Sequence, residues 1–167
     1  MILQRVCSTG ASAGDRPGHW WHQISQAAHG RPAPGVPRMA RCVLRADPTS
    51  PGTGRDFTRG TLTHWRLDGL LDSTEMAVSE LVTNALRHGL GDTNAPHPVQ
   101  LVLLRTVQRL VTVVTDPSAR PPARGEPGDF AESGRGLWIV ESISLCWGWT
   151  PLEDGGKAVW AAFEIPA

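Results

Sequence analysis

Two β-rich runs, "VQLVLLR" at 99–105 and "RLVTVVT" at 109–115, lie only a few residues apart. Strand-forming residues that close together leave room for a tight reversal and little else, so the pair reads as a β-hairpin. A lone hairpin is marginal in water and needs further strands beside it or helices over it. The rest of the chain offers both. "RCVLRAD" at 41–47 alternates well enough for a short strand, ended by "DPTSPGTG". From Gly54 to Leu67, the residues Phe57, Leu62 and Trp65 recur at helical spacing. "DGLLDST" reads as a turn with Asp72, Ser73 or Thr74 as the N-cap of a second helix. That helix runs to Arg87 or His88 and stops at Gly89, in the position glycine favours past a helix end. A third helix follows the glycines of "GRGLWIVESISLC", and "WGWTPL" and "KAVWAAFEI" form a second hairpin around "EDGG". The order β-α-α-β-β-loop-α-β-β predicts an α+β two-layer sandwich: a mixed, mainly antiparallel sheet with helices on one face.

Composition narrows the function classes. The chain has 167 residues, the size of one domain, with 16 basic and 16 acidic side chains and no net charge. That balance argues against non-specific nucleic-acid or membrane-surface binding, which leaves a basic excess. No apolar run approaches the roughly 20 residues needed to span a bilayer, and the N-terminus lacks the apolar stretch of a secretory signal. Cys7, Cys42 and Cys146 are an odd, widely spaced trio that fits neither a disulfide framework nor a CxxC metal site, so a reducing cytoplasm is expected. Residues 1–38 are rich in Gly, Pro, Ser, His and Arg with Asp15 as their one acid, and are expected to form a disordered arm; 39–167 is the globular part. Within the arm, Trp20-Trp21 could dock on a neighbouring surface.

The second helix carries the first chemical cue. Ala77, Leu81 and Ala85, with Val78, Val82 and Leu86, fill a core-facing stripe. Glu80, Asn84 and His88 form another row at four-residue steps on an adjacent flank. A carboxylate and an amide oxygen one turn apart suit Mg²⁺ or the holding of a water, or else they face solvent. Asp116 ends the first hairpin before a Pro/Gly-rich stretch, where it either accepts a hydrogen bond in a cleft or merely starts a turn. Residues 117–133 are too rich in Pro and Gly for regular structure, and a loop of that length is commonly a lid. In "ESGRGLWIV", Gly134 and Gly136 would let backbone amides approach a phosphate at a helix start, with Arg135 adding charge, or they simply serve a tight turn. No GxxxxGK[ST], HExxH, paired CxxC or GxSxG occurs.

Taken in order, these boxes resemble the Bergerat, or GHKL, ATP-binding fold, and within it the anti-sigma-factor serine/threonine kinases abundant in actinomycetes. "SELVTNALRHG" looks like that group's N box, "DPSARPP" its first glycine box, "GRGLWIVES" its second and "GGKAVWAAF" its closing strand. The resemblance implies a magnesium- and ATP-dependent protein kinase. Glu80 would be the general base and Asn84 the Mg²⁺ ligand, with Arg87 and His88 flanking the phosphates. Asp116 would accept the adenine amine. Gly134, Arg135 and Gly136 would cradle the phosphates over Leu137, and 117–133 would be the ATP lid. It further implies a sigma factor and an anti-anti-sigma antagonist as partners, and a homodimer, with no direct contact to nucleic acid or membrane. Two departures stand out. Pro117 and Ser118 replace the glycines of gyrase-like members, and Ala158 replaces a Thr of the closing strand, a lost hydroxyl expected to weaken a nucleotide contact. The alternative is a non-catalytic, nucleotide-dependent protein-binding regulator.

Overall fold

The hairpin read from 99–115 forms the centre of the sheet. In the computed structural model, which describes residues 38–89, 98–122, 135–153 and 155–166, β2 (Val99–Arg105) and β3 (Arg109–Asp116) pair antiparallel, with Leu103 opposite Thr112. On one side β1 (Arg38–Leu44) pairs with β2. On the other, β5 (Lys157–Glu164) pairs with β3, and β4 (Cys146–Pro151) closes the far edge. The sheet order is β1-β2-β3-β5-β4 and all four pairings are antiparallel. The β4–β5 hairpin around "EDGG" is present as expected. β1 starts at Arg38 rather than Arg41, because Met39 and Ala40 find partners in Leu104 and Leu103.

Three helices complete the two-layer sandwich. Helix α1 (Ser50–His64) begins earlier than its apolar spacing suggests, since Pro51 sits in the first turn, where a missing N–H costs nothing. Just before it, the Asp47 carboxylate accepts hydrogen bonds from the hydroxyl and the backbone N–H of Thr49. Those two bonds hold the Asp47 pKa below the usual carboxylate range. After α1 the chain reverses through Arg66, at φ 57°, and a short 3₁₀ turn, Asp68–Leu70. Helix α2 (Leu71–Asn84) therefore starts ahead of the expected Asp72, Ser73 or Thr74 cap, and no side chain caps it. It ends in a π-turn, Ala85–Gly89, and not in a simple glycine stop. Helix α3 is Gly136–Ile143.

The main core lies between helices and sheet. The α2 stripe of Ala77, Val78, Leu81, Val82 and Ala85 is buried against Leu101, Leu103, Leu110, Val114 and Phe163 of the sheet, with Leu62 of α1 and Val140 of α3. Each fully buried Leu or Val contributes about 1.5–3 kcal/mol. A second, smaller cluster sits on the opposite face of the sheet, where Val102, Leu104, Val111, Val113, Trp160 and Ala162 are buried. This two-sided burial is why β2 and β3 read as nearly continuous apolar runs. Among the described residues Cys42, half-buried in β1, is a free cysteine. No helix among the described residues is long and apolar enough to cross a membrane.

Candidate functional site

A cavity of about 340 Å³ opens between the end of α2 and the neighbouring ends of β3 and β5, a volume within the range of small-molecule sites. Its apolar walls are Leu81 and Ala85 from α2 and its π-turn, Val114 from β3, Val159 from β5 and Leu137 from α3. Polar groups enter from two sources. Asn84, Arg87 and His88 come from the end of α2, while Asp116 and Lys157 come from the strands. The start of the segment after β3 adds Arg120, Pro121 and Pro122.

Glu80 and Asn84 do not form a solvated flank. Both are only half-exposed, and α3 begins directly against them. A Cβ at Gly136 would lie 2.6 Å from Glu80 Oε2 and 3.3 and 3.4 Å from the two amide atoms of Asn84. Glycine lets the start of α3 sit against this pair with the Glu80 carboxylate undisplaced, whereas a side chain there would push that flexible carboxylate aside. Arg135 is the exposed N-cap residue, no side chain caps α3, and its first turn holds no acidic residue. A helix start in that condition favours an anion. The wider i→i+5 turn breaks the four-residue phase after Asn84, so His88 does not continue the Glu80–Asn84 row. Arg87 and His88 are both exposed and both line the cavity mouth.

Asp116 is buried at the end of β3, and its role is richer than a turn-starting Asp-Pro. Its Oδ1 accepts the backbone N–H of Ser118 at 2.9 Å and the Lys157 ammonium at 2.8 Å. Lys157 Nζ also donates to the Ser118 carbonyl at 3.2 Å. Strand register brings the two charges together, since Asp116 lies opposite Lys157. The turn before Lys157 is equally specific. Gly156 has φ 85°, and a Cβ there would sit 2.3 Å from the Asp116 carbonyl oxygen.

The structure thus gathers Asn84, Arg87, His88, Asp116 and Leu137 around one cavity, with Glu80 and Gly136 in contact beside Asn84. Gly134 and positions 123–133 of the expected lid lie outside the described residues, as do 1–37 with Trp20-Trp21. The concern over Ala158 is corrected. Its side chain belongs to the cluster on the opposite face of the sheet, so a hydroxyl there would point away from the cavity. The pocket-facing position is one residue earlier, at Lys157, which the motif reading passed over. The available signal was composition, for Lys157 is the only lysine among 16 basic residues. Among the described residues no cluster of three or more His, Cys, Asp or Glu could cage a metal.

Residues 44–163 match the histidine kinase-like ATPase domain, well over half of the chain. The chain belongs to that family. It also superposes on the crystal structure of the RsbU and RsbW domains of a Mycobacterium tuberculosis protein, with a TM-score of 0.56 and 17% sequence identity, over 78% of this chain. The match spans only 34% of that longer chain, and at this identity it speaks for the fold alone. No curated protein sequence matches.

Proposed function

For a histidine kinase-like ATPase with this pocket, we propose that the chain binds Mg²⁺-ATP and phosphorylates a serine or threonine of an antagonist protein, while also holding a sigma factor. The observation that carries the reading is the seating of Gly136 against Glu80 and Asn84, which joins the helix pair to a phosphate-type helix start. The likeness to a solved RsbW domain supports it at the level of fold.

In this reading Asp116 accepts the adenine amine while Val114, Val159, Leu81 and Leu137 enclose the ring. The phosphates run toward the start of α3, with Gly134, Arg135 and Gly136 as the cradle and Arg87 and His88 at the flank. The Asn84 amide oxygen is a suitable ligand for Mg²⁺, a hard cation that keeps most of its shell for phosphate oxygens and water. When bound, the ion neutralises charge on the phosphates. Glu80 takes the proton of the acceptor hydroxyl as its oxygen bonds the γ-phosphorus and the bond to the ADP oxygen breaks. Residues 39–167 form the working domain and 117–133 its lid, whose described start already lines the cavity at Arg120, Pro121 and Pro122. The chain works as a homodimer in the cytoplasm, without contact to nucleic acid or membrane.

Two variants test this. Glu80→Gln should retain ATP binding and lose about 10²–10⁴-fold in transfer of labelled phosphate to an antagonist, the usual worth of a general base. Asn84→Ala should lose the Mg²⁺ dependence of ATP affinity in calorimetry. Transfer by Glu80→Gln at the wild-type rate removes the base assignment, and an unchanged Mg²⁺ dependence in Asn84→Ala removes the ligand. Tight binding with no transfer to any partner would establish the non-catalytic regulator instead.

A further inference from the structure

Lys157 is a charged group at the base end of the cavity that the ATP reading leaves unused. Its side chain is 5% exposed and that of Asp116 1%, so both charges are almost fully removed from water. An ammonium carries three protons. Two are spent, on Asp116 Oδ1 and the Ser118 carbonyl, and the third has no partner among the described residues. Asp116 is in the complementary position. Its Oδ1 takes both Lys157 and the Ser118 N–H, while no protein hydrogen bond goes to Oδ2 among the described residues. An open donor and an open acceptor therefore sit side by side in a cavity walled by Val114 and Val159.

A purely structural pair would explain the charge balance but not its cost. Burying two ions rarely improves on a well-packed apolar pair, and this chain uses arginine for every other cation. A lysine offers what arginine does not, a compact head that reaches a second acceptor in a narrow site. Adenine presents a matching edge, with the exocyclic N6–H donor next to the ring N1 acceptor.

We propose that Lys157 is a base-reading residue: its ammonium donates to adenine N1 while Asp116 Oδ2 accepts the N6 amine, so that one ion pair reads both groups of the edge. This rests on the ATP-binding reading above and assigns the base specificity of that same site.

The test compares ATP with 1-deaza-ATP, in which N1 is replaced by C–H, by calorimetry on the wild-type chain and on Lys157→Met. Wild type should bind the deaza analogue on the order of 10-fold more weakly, the worth of a charged hydrogen bond. Lys157→Met should bind the two equally. The doubly neutral Asp116→Asn/Lys157→Met variant guards against misfolding by an unpaired buried carboxylate. Folded by near-UV circular dichroism, it too should have lost discrimination at N1. Equal binding of ATP and 1-deaza-ATP by wild type, or discrimination that survives in Lys157→Met, would overturn the role of Lys157 and leave ATP binding standing. Tighter binding of GTP than ATP would overturn the assignment to N1. If wild type binds no ATP at all, the nucleotide reading falls and this inference with it.

Discussion

Gly155 and Gly156 are adjacent and both have positive φ, at 91° and 85°, yet their surroundings differ. A Cβ at Gly155 meets nothing within 4 Å. One at Gly156 falls 2.3 Å from the Asp116 carbonyl oxygen, 3.0 Å from Pro117 Cα and 3.2 Å from the Asp116 carbonyl carbon. All three are backbone atoms and cannot rotate aside. Gly155→Ala therefore incurs the left-handed penalty alone, about 1–2 kcal/mol. Gly156→Ala incurs that and an overpacking cost of about 1–3 kcal/mol, for a total of about 2–5 kcal/mol. The gain from a stiffer unfolded chain is common to both and cancels in the difference. At roughly 4 °C per kcal/mol for a domain of this size, Tm should fall by about 4–8 °C in Gly155→Ala and about 8–20 °C in Gly156→Ala. Thermal and denaturant unfolding followed by circular dichroism read both values. Gly156→Ala should also weaken nucleotide binding beyond Gly155→Ala, because the displaced turn carries Lys157 away from Asp116. Equal losses of stability in the two variants would refute the close approach as the reason for glycine at 156.

Gly136→Ala should separate stability from chemistry. The helix gains up to about 1 kcal/mol and the flexible Glu80 carboxylate turns aside for about 0.5–1.5 kcal/mol, so Tm should move by only a few degrees. Phosphoryl transfer should fall on the order of 10²-fold from an ångström-scale misplacement of Glu80, and an unaltered rate in a labelled-ATP assay would sink that contact. Asp47 predicts a pH effect whose sign follows from its lowered pKa. The stabilisation from its Thr49 hydrogen bonds is complete above the unfolded value of about 3.9 and is lost as pH falls through the lower folded value. The Tm gap between wild type and Asp47→Ala should thus be full at pH 6 and close in strong acid; a gap that stays constant across that range contradicts it.

What was legible in the sequence was periodic. The α2 stripe at Ala77, Val78, Leu81, Val82 and Ala85 and the two hairpins follow from spacings of 3.6 and 2 residues, and all are buried or paired where that spacing puts them. Helix starts were less legible. α2 begins at Leu71 without a side-chain cap, so tertiary packing and not local chemistry sets its first turn. The Asp116–Lys157 pair was hidden because its partners are 41 residues apart in the chain and meet only through strand register. The same register decides that Ala158 faces away from the cavity while Lys157 faces in. A period of two makes any one-residue misjudgement a reversal of face.

The π-turn Ala85–Gly89 gives chain length a role at the mouth of the cavity. An i→i+5 turn holds one residue more than the α-turn it replaces. Deleting a single residue between Asn84 and Gly89 would let α2 run on as an ordinary α-helix. Arg87 and His88 would then swing by about 100° about the helix axis, while Leu81 and Val82 stayed seated in the core. The cation and the imidazole at the pocket mouth are thus aimed by a count of residues, and restoring their identities at the wrong spacing would not restore their direction.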